Sequence, residues 1–280
     1  MKHYVGVQLR ARLTVLDRAL LVARKTPSED ALHDLRVAAR RYSQALRLFA
    51  EFLDPKRVKQ MRSRLRRLMD HAGAVRNLDV TQRVLESAGV RDVQLTETLM
   101  AERAELQSRL LKHLTRWRGN RSVKRWRKWL RPTEPTGKTW NREAPAAQNA
   151  HRVLPRLLDE LFAAGARAIA RGTERELHRF RLLGKRFRYS LELFADAYGA
   201  NTETCLRRLR VLQDHLGSIN DCVTALGLVQ GSGHAEEAVT KLLQRRRQEF
   251  IEYWSLFQNQ QDRWRGWVGG RDGALRSAPR

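Results

Sequence analysis

Apolar residues recur along this chain at spacings of three and four, and no stretch alternates convincingly over a strand's length. Placing 32–49 on a helix at about 100° per residue puts Leu35, Ala39, Tyr42, Leu46 and Phe49 on one face. Met61, Leu65, Leu68 and Ala72 make a second such stripe, and Phe180, Phe187, Leu191 and Phe194 a third. Helices are predicted over 3–25, from the break at Thr26-Pro27-Ser28 to about 54, and over 55–73, 78–87 and 91–131. Further helices are predicted over 150–171, 173–198, 201–216, 219–229 and 234–267. Pro27 ends the first helix, Pro55 sits in a first turn, Thr173 with Glu176 reads as a capping box, and Gly199 closes a helix. Asn77 and Asp221 stand where N-caps would open the two short helices. Short connections between amphipathic helices describe an all-α fold of antiparallel bundles.

The pattern occurs twice. His33 to Phe49 and His178 to Phe194 share one register at an offset of 145, with Arg36/Arg181, Arg41/Arg186, Leu46/Leu191 and Leu48/Leu193 identical. Arg64 to Gly73 matches Arg208 to Gly217 at an offset of 144. A period this long indicates duplication of one helical module; solenoid repeats run about 20–50 residues. The expected organisation is a first module over 1–131, a linker over 132–147 broken by Pro132, Pro135, Gly137 and Pro145, a second module over 148–268, and a disordered basic tail over 269–280.

Charge then narrows the partner. With 55 Lys and Arg against 30 Asp and Glu, the net charge is +25. Most of the excess is Arg, whose rigid fork of donors suits phosphate oxygens. Nucleic acid, another polyphosphate or an anionic membrane surface would answer such a balance. Apolar content of 42% is enough for a packed core. No signal-like or membrane-spanning apolar run is present, so a cytoplasmic protein is expected. Cys205 and Cys222 read as small buried residues.

Core packing explains repeated Leu and Phe, but not a repeated His and Arg set. His33, Arg36, Arg40 and Arg47 stack beside the buried stripe, and His178, Arg181, Lys185 and Arg188 do the same in the second copy. On the next helix Arg64, Arg67 and His71 form a line; Arg208 and His215 keep its ends, while Val211 replaces the middle Arg and Glu192 replaces the last Arg of the other stripe. Neighbouring helices would bring these lines into one groove per module, or one continuous channel. Arg76 is a further reach toward an anion, with Asn220 at its matching place. The four His admit readings as phosphate donors, phosphoacceptors, structural donors or metal ligands. Arg neighbours repel divalent cations, which sets metal last and favours the phosphate donor. Trp117, Trp126 and Trp129 among basic residues including Arg118 and Arg121 read either as a stacking surface for single-stranded nucleic acid or as packing. Phosphoanhydride hydrolysis needs carboxylates holding metal, and neither these nor a P-loop, nucleophile elbow or HExxH is evident, so no catalysis and no cofactor are expected.

His33-x-x-Arg36-Val37-x-x-Arg40-Arg41, His178-x-x-Arg181-x-x-x-Lys185-Arg186-x-Arg188-Tyr189-x-Leu191-Glu192-Leu193-Phe194 and the paired Asp-His-x-Gly segments resemble the CHAD family, the conserved histidine α-helical domain. The resemblance covers roughly 3–265. It implies two helical bundles related by a pseudo-twofold, a basic central channel, and binding of inorganic polyphosphate by channel Arg and Lys. Some members are fused to a triphosphate tunnel domain of the CYTH type, which is not read here, and some associate with polyhydroxyalkanoate granules. Asn77 stands where relatives often carry Asp, and the second groove is expected to be the weaker.

Overall fold

The structure is a computed structural model that describes residues 1–119, 122–198 and 201–270. Every regular element among them is helical. The first is α1 (Lys2–Lys25), followed by α2 (Glu29–Leu48), a short 3-10 turn (Ala50–Phe52), α3 (Pro55–Ser87), α4 (Val93–Gly119) and α5 (Ser122–Trp129). After an irregular stretch come α6 (Ala146–Arg171), α7 (Glu174–Leu193), the one-turn α8 (Ala195–Tyr198), α9 (Asn201–Val229), α10 (His234–Gln258) and α11 (Gln261–Val268).

The caps expected at Ser28 and Thr173 are in place, and Asp54 and Gly172 add two more. Ser28 Oγ accepts from Ala31 N, and Asp54 Oδ1 accepts from Lys56 N and Arg57 N with Pro55 in the first turn. Thr173 Oγ1 accepts from Glu176 N. Gly172, at φ 61°, closes α6 in the left-handed region that favours glycine. The predicted apolar stripes are the core: Leu35, Ala39, Tyr42, Leu46 and Phe49 are fully buried, as are Phe180, Phe187, Leu191 and Phe194.

Two predicted breaks are absent. Residues 73–77 and 217–221 lie inside α3 and α9, so Asn77 and Asp221 are not N-caps. The Asn77 carbonyl instead accepts from Thr81 Oγ1. Gly73 marks a close approach: a Cβ there would stand 2.9 Å from Arg36 Nη1. Conversely, the single long helix expected over 91–131 is two, α4 and α5. Closure at Gly199 and the tail beyond 270 lie outside the described residues.

The chain forms two compact units. One comprises Lys2–Gly137 with Asp221–Leu242; within it α1 packs on α2, α2 on α3 and α3 on α4. The other comprises Lys138–Asn220 with Leu243 onward, and within it α6 packs on α7 and α11 on α6. The units cut across the second sequence repeat because α9 and α10 contribute to both. At about 1.5 Å per residue these helices outrun a single small core. Cys222, Ala225, Val229 and Val239 are buried in the first unit, Cys205 in the second.

The irregular stretch after α5 is ordered. Thr133 N and Thr136 N donate to the carbonyls of Phe52 and Glu51. Trp140 is buried with its ring 6.2 Å from Phe194, and buried Asn149 bonds the backbone of Asn141 in both directions.

Candidate functional site

The first unit carries two cationic clusters, one on each flank of α3. On one flank Arg36 of α2 lies across Gly73 and donates from Nη1 to the Met69 carbonyl at 3.2 Å. Arg76, Asp34, Arg40 and Arg36 are the electrostatic neighbours of His33. Partial burial lowers the His33 pKa first, then Arg76; Asp34 opposes them, and Arg40 and Arg36 push the same way as Arg76. Arg76 is mostly buried and paired with Glu29 at the start of α2, which Arg83 also reaches at 3.3 Å. Arg41 is half-buried, and Arg47 is exposed in the last turn of α2.

On the other flank Arg64, Arg67 and His71 do not join the α2 line. They face α4, where with His113, Arg116 and Trp117 they line a cavity of about 290 Å³. The rings of His71 and His113 are 4.5 Å apart. Trp117 Nε1 donates to His113 Nε2 at 2.9 Å. Arg64 donates to the buried Ser122 hydroxyl at the start of α5. Burial lowers the His113 pKa, helped by His71, Arg67, Arg116 and Arg64. The same crowding acts on Arg64, lowered by burial, then by Arg125 and Arg67. The separation is geometric. On an α-helix, positions 69, 73 and 76 flank the buried 65/68/72 stripe on one side and positions 64, 67 and 71 flank it on the other.

In the second unit His178 Nδ1 lies 3.4 Å from Asn220 Oδ1. Arg181 and Lys185 are half-buried along α7. Arg186 bonds Glu160 at 2.9 Å. Arg188 is 3.6 Å from Glu192 and stands over the ring of buried Tyr189, 5.0 Å from its centroid. Arg208 donates to Gln260, and its carbonyl accepts from Tyr253 Oη. His215 stacks on Tyr253 at 4.8 Å.

Three participants were not singled out from sequence: His113, Tyr253 and Glu29. His113 is one helical turn before Trp117, a spacing that reveals the pair once α4 is drawn. Glu29 is one of two acids in the first turn of α2.

Two Trp of the Trp-rich segment, Trp117 and Trp126, are core. Trp126 is buried, stacked on Tyr42 at 5.9 Å and edge-on to Trp117 at 5.2 Å. Trp129 has Arg57 over its ring. Arg121 and the Arg118 side chain lie outside the described residues. Among the described residues no group of three His, Cys, Asp or Glu could hold a metal ion, and no helix is long and apolar enough to cross a membrane. What the clusters offer is dense guanidinium and imidazole donors for oxyanions.

A family model, the CHAD domain, matches residues 7–230. The crystal structure of the CHAD domain from the plant Ricinus communis is similar to this chain with a TM-score of 0.69 at 23% identity, covering 96% of this chain and 91% of that one. PptA from Streptomyces chartreusis is similar with a TM-score of 0.64 at 18% identity, covering 91% of this chain and 99% of that one. At these identities the likeness is one of fold. No curated protein matches.

Proposed function

The chain belongs to the CHAD domain family, and we propose that it binds inorganic polyphosphate, without catalysis, through the Arg, Lys and His clusters of its two units. The observation that carries this reading is the convergence of His33, Arg36, Arg40 and Arg76 between α2 and α3. Glu29 pairs with Arg76 and Asp34 lies near His33, but the cations outnumber them. Like charges brought together cost free energy unless counter-charge joins them, and a chain of phosphates supplies it at close, regular spacing. Arg36 is positioned for this by its bond to Met69 and the notch at Gly73.

Equivalent contacts support the duplication reading. His33 neighbours Arg76 where His178 meets Asn220, and His71 meets His113 where His215 meets Tyr253. The nucleic-acid alternative loses support, because Trp117 and Trp126 are buried and offer little surface for base stacking.

The test is binding of long-chain polyphosphate and duplex DNA side by side at physiological salt, with wild type and an Arg36→Ala/Arg40→Ala/Arg181→Ala variant. Tight polyphosphate binding that the variant loses, with weak DNA binding throughout, is the expected result. Equal binding of both polymers, unchanged in the variant, would mean that the net charge acts as a diffuse surface.

A further inference from the structure

The cleft between α3 and α4 differs in kind from the stripe on α2. Three guanidinium groups and two imidazoles converge on about 290 Å³, the small end of the roughly 300–1,000 Å³ typical of ligand clefts. The imidazoles are constrained. With Nε2 of His113 accepting from Trp117, its ring proton sits on Nδ1 while the ring is neutral. So dense a cluster of cations favours the anion with the most charge in the least volume. An internal phosphate of a chain carries about one charge, whereas a terminal phosphoryl group carries about two near neutral pH, its second pKa being about 6.

The second unit does not repeat this arrangement. Val211 stands at the Arg67 position, and Tyr253 is the ring against His215. The residues that build the cleft are therefore not all repeated in the second copy.

We propose that the α3–α4 cleft binds a dianionic terminal phosphoryl group, seated by Arg64, Arg67 and Arg116 with His71 and His113 as further donors. This deepens the polyphosphate reading for one site and rests on it. The group can arrive on a small free phosphate compound or at the end of a long chain, and the same chemistry would hold either.

The experiment is isothermal titration of the full chain with pyrophosphate, linear tripolyphosphate and cyclic trimetaphosphate, a ring with no terminal group, alongside long-chain polyphosphate. The linear compounds are expected to bind at least about tenfold tighter than the ring. Arg67→Val and Arg116→Ala, both at exposed positions, should each erase most of that preference. Lys59→Ala/Arg66→Ala removes charge from exposed sites on the same helix and should keep it. A weakened preference for long chains with ends blocked as esters would identify chain ends as a source; an unchanged one leaves free small phosphates as the ligand. A ring that binds as tightly as the linear triphosphate, or a preference untouched by Arg67→Val and Arg116→Ala, overturns the proposal. Failure of long-chain polyphosphate to bind at all would instead sink the functional reading beneath it. Far-UV circular dichroism of each variant separates lost binding from lost fold.

Discussion

At the scale of single residues, His33 and His113 couple pH to both stability and binding. Both have folded pKa values below the ordinary 6.5, chiefly through burial, with Arg76 next for His33 and His71 next for His113. The unfolded chain therefore binds more protons than the native one just below pH 6.5, and the stability these rings allow above that value is lost as pH falls toward their folded pKa. A bound polyanion opposes the shift, because it neutralises the surrounding Arg charge and favours the imidazolium, while the contribution of burial remains. Without ligand, Tm is expected to fall between about pH 7.5 and about 5.5, and His33→Gln and His113→Gln should flatten part of that fall. With saturating polyphosphate the wild-type slope should shrink, and affinity should rise on acidification. Calorimetry of the three proteins with and without ligand reads both effects. An identical slope in all three would leave the histidines as structural parts.

Among the elements, α3 decides how the site is built, and its two-sided character turns on Gly73. A helix-interior glycine costs roughly 0.5–1 kcal/mol relative to alanine, so its retention needs a reason, and Arg36 provides one. At the matching Gly217 no atom lies within 4 Å of a built Cβ. Gly217→Ala should accordingly raise unfolding stability by about 0.5–1 kcal/mol and leave polyphosphate binding alone. Gly73→Ala should displace the Arg36 guanidinium and weaken binding while gaining little stability. Chemical denaturation and one binding isotherm per variant check the pair, and equal behaviour of the two substitutions would contradict the role given to the Arg36 contact. The same glycines show what the sequence leaves hidden. Apolar periodicity reveals the buried faces of α2, α3 and α7, and Ser28, Pro55 and Thr173 mark their starts, because caps and stripes are local signals. Gly73 reads as a helix end because its packing partner lies 37 positions away, on another helix. The His33 and Arg36 stripe was likewise legible, but not the turning of Arg64, Arg67 and His71 toward His113, which depends on which helix covers which flank of α3.

For the whole molecule, a net charge of +25 guarantees attraction to any polyanion, so the question is whether the clusters add to it. The two units are not equivalent in this respect. Arg76 faces His33 where Asn220 faces His178, while Arg186 and Arg188 have Glu160 and Glu192 close by. Asn220, Val211 and Glu192 stand at the positions of Arg76, Arg67 and Arg47, so the second unit presents less positive charge at the matching positions. Arg36→Ala/Arg40→Ala should therefore reduce polyphosphate affinity by about tenfold or more, and Arg181→Ala/Lys185→Ala by only about threefold. The slope of log affinity against log salt should also become shallower, by about 0.7 for each phosphate contact removed from a flexible strand. The two quantities separate the mechanisms. Loss of affinity with the salt slope unchanged would mean that the α2 residues shape the groove without touching phosphate. Equal losses for the two pairs, matched by removal of two exposed cations such as Lys59 and Arg66, would return the binding to the overall charge of the surface.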